Sequence, residues 1–254
     1  MFRLEQVSRS HDGRDVLRID QLALGNEGVT VILGHNGSGK TTLMGLLARQ
    51  DRPDTGRIAL EGEPLAALRQ RDLARRVAFL PQRLPTVHGL TVRELVRLGR
   101  FPWRGALGAW REEDHVAVEN AIVRTGVTTL ADRLVEETSG GERQRGWIAM
   151  LLAQDAPVLL LDEPTAALDL AHAFEVMALL RTLSREADRR VIVILHDINL
   201  ATRFADRIVA LKGGTIAFDG PPDALLSADV LRGLYGIDMT LLPRAGALPH
   251  AVVA

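Results

Sequence analysis

The chain has 254 residues, of which 46% are hydrophobic and 25% are charged, as expected of an ordinary soluble globular protein of one or two domains. Its 31 basic and 32 acidic residues give a net charge of −1, so it lacks the basic excess that nucleic-acid binding requires. The absence of cysteine excludes disulfides and thiolate metal sites. Because the start of the chain shows no signal region and no apolar run approaches the ~20 residues that span a bilayer, we expect any membrane role to come through a partner.

Apolar strand-like runs alternate with amphipathic helical runs, which predicts a single α/β domain whose sheet is flanked by helices. Residues 1–85 and 156–243 hold all the predicted strands and form the predicted core. Residues 86–155 show no convincing strand pattern and predict an inserted helical subdomain. Residues 244–254 are rich in Ala, Gly and Pro, so we expect a poorly ordered tail there. The predicted strands span 2–7, 29–33, 57–60, 77–80, 158–161, 191–195, 207–211 and 215–218.

The sequence GHNGSGKT at 34–41 lies between an apolar strand run and a helix-compatible run, and it matches G-x-x-x-x-G-K-[ST] at every fixed position. Glycines allow the backbone N–H groups of such a loop to point at phosphate oxygens, and the helix N-terminus adds partial positive charge. Lys40 would reach the β- and γ-phosphates, and the Thr41 hydroxyl would ligate Mg²⁺. A glycine-rich turn that matches by chance is the alternative, which the flanking strand and helix disfavour. The candidate phosphate ligands are Gly34, His35, Asn36, Gly37, Ser38, Gly39, Lys40, Thr41 and Thr42.

A second glycine-containing motif, SGGERQR at 139–145, precedes an apolar helical run. Ser139 and Glu142 have the spacing of a capping box. Gly140 and Gly141 leave helix-end N–H groups uncovered, which makes a second candidate anion site. Since capping boxes are common, a helix cap with a flexible approach is an equally good interpretation of this motif alone.

Two carboxylates follow the predicted buried strand 158–161. Ligands of parallel α/β sheets bind at the carboxyl ends of the strands, which is where Asp162 and Glu163 lie. Asp162 is suited to hold Mg²⁺ through water. Glu163 is suited to orient or deprotonate an attacking water.

Two more polar residues follow predicted strands. Gln82 comes after the strand at 77–80 and His196 after the strand at 191–195. Each could be an ordinary loop or structural residue. In a chain that carries the other motifs, we expect Gln82 to contact Mg²⁺ or the attacking water and His196 to sense the γ-phosphate.

The order of these motifs resembles that of the ATP-binding-cassette (ABC) ATPase family over nearly the whole chain. The resemblance implies the P-loop NTPase fold of the ABC ATPases, with a mixed sheet flanked by helices and an inserted helical subdomain. It also implies an ATPase with ATP and Mg²⁺ as ligands, a Walker A loop at 34–41 and a Q-loop at Gln82. It further implies a signature motif at 139–142, a Walker B strand ending at Asp162 with the catalytic Glu163, a D-loop at 166–169 that includes Asp169, and a switch histidine at His196. Several stretches are most similar to the ATPases of ferric-siderophore importers, above all of the ferric-hydroxamate type. These are residues 34–40, 90–96, 99–103, 105–108, 139–145 and 195–201.

The resemblance implies a mode of action. Two copies would form a head-to-tail homodimer on ATP, with Ser139 and Gly141 of one copy binding the γ-phosphate held by the other. The chain would lie at the cytoplasmic face of the cell (inner) membrane as a peripheral subunit. Its partners would be transmembrane permease subunits and, indirectly, a siderophore-binding protein, with no nucleic acid. Vitamin B12 and haem importers use similar ATPases, so these cargoes remain alternatives.

The sequence departs from the family pattern at two positions. The signature, usually LSGGQ, reads TSGGE at 138–142, and a carboxylate at Glu142 is favourable in a first helical turn. The aromatic residue that usually stacks on adenine is replaced by His11 at the corresponding spacing. His11 would be a weaker stacking partner or, within the turn-like stretch 10–13, an exposed loop residue.

Three aromatic residues, Phe101, Trp103 and Trp110, lie within ten positions of a chain that has only 4% aromatics. They would either pack the core of the helical subdomain or form a partner-facing patch beside the Q-loop, because aromatics are enriched at interface hot spots. The family docks its membrane subunit on this side.

Two other classes of protein fit the motifs less well. A soluble ABC ATPase of DNA maintenance would carry a long coiled coil between its Walker motifs, whereas Lys40 and Asp162 are 122 residues apart (162 − 40) with no heptad run. A non-hydrolysing nucleotide switch would lack Glu163 or His196, and the sequence has both.

Overall fold

A computed structural model describes residues 1–25, 28–105, 108–166, 168–186 and 189–254. The strands are β1 (Phe2–His11), β2 (Arg14–Leu24), β3 (Val29–Gly34), β4 (Thr55–Leu60), β5 (Glu63–Pro64), β6 (Val77–Leu80), β7 (Val158–Asp162), β8 (Arg190–Ile194), β9 (Arg207–Lys212), β10 (Thr215–Gly220), β11 (Met239–Arg244) and β12 (Ala247–Val253). The helices are α1 (Lys40–Leu47), α2 (Gln70–Arg76), α3 (Val92–Leu98), α4 (Phe101–Arg104), α5 (Glu112–Arg124), α6 (Gly140–Ala153), α7 (Leu170–Glu186), α8 (Ile198–Phe204), α9 (Pro222–Leu225) and α10 (Ala228–Tyr235).

The chain forms two compact units, residues 1–67 with 190–254 and residues 68–189. In the first unit β2, β1, β4 and β5 make an antiparallel sheet in that order. A mixed set of strands runs in the order β10, β9, β3, β8, in which β3 is parallel to both neighbours and β10 is antiparallel to β9. These elements, with α1 and α8, give the α/β architecture that the sequence predicts.

The second unit combines the parallel pair β6 and β7 with helices α2 to α7. All regular elements in the described part of 86–155 are helices, apart from one isolated bridge between Thr91 and Leu134. The predicted helical subdomain, residues 86–155, is smaller than the second unit. This unit spans residues 68–189 and also includes β6, β7 and α7.

The central strands are buried along their length because helices cover both faces of a parallel sheet. Residues 29–33 and all of β7 are buried. The β-branched and leucine side chains of these runs suit such strands. Parallel strands present their carboxyl ends at one edge. In the first unit this edge carries the loop after β3 and the turn after β8. In the second unit the corresponding edge of the β6–β7 pair carries the turns after these two strands.

Two predictions about the elements are wrong. The strand β2 was not expected, because polar residues at 20–21 interrupt the alternation of its buried positions. The tail after Pro243 was expected to be poorly ordered, yet β11 and β12 pair as a hairpin and Ala251 is buried. Composition alone misled here, because the hairpin is held by the side-chain amide of Asn199 in α8, which bonds both backbone groups of Ala251.

Candidate nucleotide-binding and hydrolysis site

The loop between β3 and α1 is a preformed anion cradle. Gly39 caps α1 in a left-handed conformation with φ 97°, and the first helical bond runs from Leu43 N to Gly39 O at 2.8 Å. The helix therefore offers no acceptor to the amide groups of residues 40–42, which remain available to phosphate oxygens. This is the arrangement that the sequence predicts for 34–41.

Two glycines of the loop are required by close packing as well as by backbone conformation. A Cβ on Gly34, whose φ is 147°, would lie 2.3 Å from Leu211 O of β9. A Cβ on Gly39 would lie 2.8 Å from Val16 O of β2. The loop is therefore fixed between two neighbouring backbones, and the contribution of β2 could not be foreseen because that strand was not predicted.

Lys40 is buried, and its ammonium group is held by the loop itself. Its Nζ donates to Gly34 O at 2.8 Å and to His35 O at 2.9 Å. The Ser38 hydroxyl is also buried and has no hydrogen-bond partner among the described residues. A buried polar group of this kind is usually satisfied by a ligand or by water, and a phosphate oxygen fits both the cation and the hydroxyl. The loop thus suits the triphosphate of ATP.

The two carboxylates of the second unit occupy different environments. Asp162 is the last residue of β7 and is buried. Glu163 follows it with φ 52°, a left-handed conformation that is uncommon for a residue other than glycine and costs about 1–2 kcal/mol. Strain of this kind is typical of functional sites, and here it turns the Glu163 backbone sharply at the end of the strand.

Gln82 lies beside Glu163, because β6 and β7 are paired in parallel register from Val77 with Val158 to Leu80 with Leu161. Its Nε2 donates to Glu163 Oε2 at 2.7 Å. The sequence predicts a role for Gln82 with Mg²⁺ or water, and the structure shows in addition that it orients the carboxylate. An oriented carboxylate at a strand end is suited to accept a proton from water.

The signature segment forms the capping box that its spacing predicts. Ser139 Oγ accepts from Glu142 N at 3.3 Å, and Glu142 Oε2 accepts from Ser139 N at 2.8 Å. The backbone hydrogen bond from Ser139 lowers the pKa of Glu142. Gly140 stands at the first helical position with open space around it, since a Cβ there would meet nothing within 4 Å. The glycines therefore leave the end of α6 accessible.

The remaining predicted site residues, Asp169 and His196, lie just before the helices α7 and α8. Asp169 accepts from His172 N at 2.9 Å at the start of α7, and this backbone bond is the main cause that lowers the Asp169 pKa. Ala167 of the predicted D-loop lies outside the described residues, as do Ala106 and Leu107 of the stretch 105–108. His196 follows β8, whose carboxyl end lies beside that of β3, and Asp197 caps α8 by accepting from Asn199 N at 2.7 Å.

His11 lies at the tip of the β1–β2 hairpin, where it pairs with Arg14. Its side chain is 52% exposed, and Nε2 lies 4.0 Å from Asp51 Oδ2. The ring is therefore accessible to a base that stacks on it, and the loop-residue alternative also fits this position.

We expect His11→Ala to raise the ATP dissociation constant about five-fold, since a weak base–aromatic contact contributes about 1 kcal/mol. His11→Tyr should restore or tighten binding, because a phenol ring is a larger stacking surface than imidazole. Nucleotide titration of the wild type and both variants checks this. Equal affinities for all three would place His11 outside the site.

The candidate Mg²⁺ donors are the Thr41 hydroxyl, the Asp162 carboxylate and the Gln82 amide oxygen, which are the hard oxygen ligands that this ion prefers. Within the described ranges no cluster of three or more His, Asp or Glu side chains could hold a metal by itself. Mg²⁺ usually takes one or two protein ligands together with substrate phosphates, so each of these oxygens has the chemistry to bind an ion that arrives with ATP. No helix of the described chain has the length and apolar character to cross a membrane.

The sequence matches the ABC transporter family over residues 17–166, which is more than half of the chain. The chain belongs to the ABC transporter family. It is an ATPase of this family.

Curated relatives cover most of the ABC cassette. A probable siderophore transport system ATP-binding protein of Bacillus subtilis (strain 168) is 42% identical over 88% of this chain and 82% of its own length. An iron(3+)-hydroxamate import ATP-binding protein of the same organism is 37% identical over 94% of this chain and 88% of its own. A hemin import ATP-binding protein of Streptomyces coelicolor (strain ATCC BAA-471 / A3(2) / M145) is 43% identical over 87% of this chain and 80% of its own.

Solved ABC structures share the fold. A metal-chelate type ABC transporter in an inward-facing conformation matches with a TM-score of 0.83 and 25% identity, over 100% of this chain and 97% of the other. A dimeric bacterial ABC transporter cassette matches with a TM-score of 0.78 and 29% identity, over 87% of this chain and 99% of the other. The predicted α/β fold with a mixed sheet is therefore confirmed.

Proposed function

We propose that this ABC ATPase energises the import of an iron(III)–siderophore complex, of the ferric-hydroxamate type, across the cytoplasmic membrane. The observation that carries the chemical part of the proposal is the Gln82–Glu163 pair at the carboxyl ends of β6 and β7. The siderophore part rests on the names of the relatives, two of which act on siderophores or hydroxamates.

Each polar group has a defined task in the proposed reaction. Lys40 and the loop amides bind the β- and γ-phosphates, and Ser38 donates its hydroxyl to a phosphate oxygen. Mg²⁺, when bound with ATP, offsets the charge of the phosphates, and Thr41, Asp162 and Gln82 would hold it. Glu163 accepts a proton from the attacking water as the water oxygen bonds to the γ-phosphorus, while the bond from that phosphorus to the β–γ bridging oxygen breaks and ADP leaves with phosphate as the other product. His196 senses the γ-phosphate from the turn after β8.

The proposed active unit is a head-to-tail homodimer. The exposed start of α6 at Ser139, Gly140 and Gly141 would bind the γ-phosphate held by a second copy, so one chain alone has no complete site. ATP then favours the closed dimer, and hydrolysis releases it. The dimeric cassette among the solved structures supports this assembly. A permease in the membrane and a siderophore-binding protein complete the proposed importer, with this subunit at the cytoplasmic face of the inner membrane.

Haem is the second candidate cargo, because the hemin import relative is 43% identical, about as similar as the siderophore relatives. Disruption of the gene in its host, followed by growth on a ferric hydroxamate or on haem as the sole iron source, separates the two. We expect loss of radiolabelled iron uptake from the hydroxamate and normal growth on haem. The reverse pattern would replace the siderophore by haem as the cargo.

The aromatic segment at 101–110 has the chemistry of a permease-docking surface. Phe101 is 60% exposed. Trp103 is held within the unit, since its Nε1 donates to Gln154 O at 2.7 Å and the Arg75 guanidinium lies 5.0 Å from its ring. The guanidinium carbons of Arg97 and Arg104 lie 4.2 and 4.1 Å from the centroid of the Trp110 ring. Trp103 is thus held by contacts within its unit and is still 37% exposed, whereas Phe101 has the larger exposed fraction and so the larger surface for a partner.

We expect Phe101→Ala to weaken co-purification with the permease, because an exposed aromatic side chain can be a binding hot spot. Trp103→Ala should weaken it as well, through loss of the support under α4. Val123→Ala, a change at a side chain that is 64% exposed on α5, is the matched control and should have no effect. The proposed docking surface is wrong if both aromatic variants co-purify with the permease as well as the wild type does.

A further inference from the structure

The C-terminal helix α10 is attached to the phosphate loop through one side chain. The Nε2 of His35 lies 2.7 Å from Leu234 O in the last turn of this helix. Because a carbonyl oxygen can only accept, the imidazole must carry its hydrogen on Nε2. The ring of Tyr235 packs edge-on against the same imidazole at 5.2 Å. Burial raises the pKa of Tyr235 to about 12, so its phenol ring enters this contact uncharged.

The contact satisfies a carbonyl group that the helix cannot satisfy itself. The last four carbonyls of a helix lack partners within it and carry its partial negative charge. In α10 the His35 ring bonds the carbonyl of Leu234, and Lys212 Nζ donates to Gly233 O at 2.5 Å. His35 comes directly after β3 and Lys212 ends β9, and these strands pair with Gly34 opposite Leu211. The helix end thus bridges the carboxyl ends of two adjacent strands.

The same histidine also determines where Lys40 is held. The backbone carbonyl of His35 accepts from Lys40 Nζ at 2.9 Å and from Ser38 N at 3.1 Å. His35 therefore makes two kinds of contact. Its side chain bonds α10, and its backbone carbonyl bonds the Lys40 ammonium group and the turn of the phosphate loop. A loop that is already in its binding conformation pays less ordering free energy when ATP binds.

The segment that carries α10 is itself fixed at a second point. The side-chain amide of Asn199 in α8 donates to Ala251 O at 3.0 Å and accepts from Ala251 N at 2.9 Å. This bidentate pair joins the hairpin of β11 and β12 to the helix that follows His196. The C-terminal segment is thus a folded part of the first unit, able to hold His35 in place.

We propose that His35 is a positioning residue for ATP binding, which pre-organises the phosphate loop by anchoring it to the carboxyl end of α10. The inference rests on the proposed ATP binding at residues 34–41. Loss of the anchor lowers the fraction of phosphate loops that are ready to bind ATP. The ATP dissociation constant should therefore rise, and a side chain that restores the hydrogen bond to Leu234 O should restore the affinity.

The test compares the ATP dissociation constants of four proteins by nucleotide titration. His35→Ala should raise the ATP dissociation constant about three-fold to ten-fold, the effect of one intramolecular hydrogen bond. His35→Gln should retain wild-type affinity, because the Nε2–H of a glutamine can reach the same carbonyl. Lys212→Ala removes a different side-chain hydrogen bond to the end of α10 and leaves the residues of the phosphate loop as they are, so its affinity for ATP should stay near wild type.

The proposal is overturned if His35→Ala binds ATP like the wild type, if His35→Gln binds as weakly as His35→Ala, or if Lys212→Ala loses as much affinity as His35→Ala. The last result would assign the effect to the stability of α10. A wild-type chain that does not bind ATP would contradict the proposed function itself, and the wild-type titration shows this separately.

Discussion

Glu163→Gln is expected to bind ATP normally and to hydrolyse it about 10²- to 10⁴-fold more slowly than the wild type, the range for loss of a general base. The amide oxygen of the new side chain can still accept from Gln82 Nε2, which lies 2.7 Å from Glu163 Oε2. The substitution therefore keeps the geometry and removes only the ability to accept a proton. ATP that binds without being hydrolysed should hold two copies together as a dimer.

Two measurements check this prediction, phosphate release and size-exclusion chromatography with and without ATP. Glu175→Gln, the same chemical change at an exposed position of α7, is the matched control and should behave as wild type. Hydrolysis by Glu163→Gln at the wild-type rate would move the role of the base to another residue.

Lys40→Met is expected to weaken ATP binding and to abolish hydrolysis. The side chain is buried and its ammonium group is held by two carbonyls of the loop, Gly34 O and His35 O. Met keeps most of the volume but supplies no charge, so the phosphates lose their cation and the carbonyls lose their donor. Lys40→Ala should have the same effect with an additional loss of packing.

Lys212, the other lysine of the chain, provides the control for this change. Lys212→Met should remain an active ATPase, because the Lys212 ammonium group donates to Gly233 O of α10. Near-normal turnover by Lys40→Met, measured as phosphate release at saturating ATP, would contradict the role of residues 34–41 as a phosphate loop.

Features that depend on neighbours in sequence could be predicted well. The phosphate loop, the capping box of Ser139 and Glu142, and the buried strand that ends at Asp162 each need only a short window, because spacing within a helix or strand fixes which groups meet. The bond between Gln82 and Glu163 needs one more step, the parallel pairing of β6 with β7, which brings both strand ends to one edge.

Contacts between distant segments could not be predicted. The bond from His35 to Leu234 joins positions 199 residues apart, and nothing in the local pattern of either segment indicates the other. The hairpin at the C-terminus was missed for the same reason, since its buried Ala251 is bound by Asn199 from another element. Strand β2 was missed for a local reason. The polar residues at 20–21 interrupt the alternation of buried and exposed positions along this strand, and its pairing with β1 is what identifies it as a strand.

The most direct test of the central claim, that the phosphate loop of one copy and the signature of another form one active site, is phosphate release by a mixture of two inactive variants. The partners are Lys40→Ala and Gly140→Asp. The structure favours Gly140→Asp as a folded protein, because the position has open space and an acidic residue suits the first turn of α6, while its charge should repel the γ-phosphate. In a head-to-tail dimer of the two variants one site carries both defects and the other none, so the mixture should recover about one quarter of wild-type activity when each site turns over independently. A mixture no more active than either variant alone would contradict the shared site.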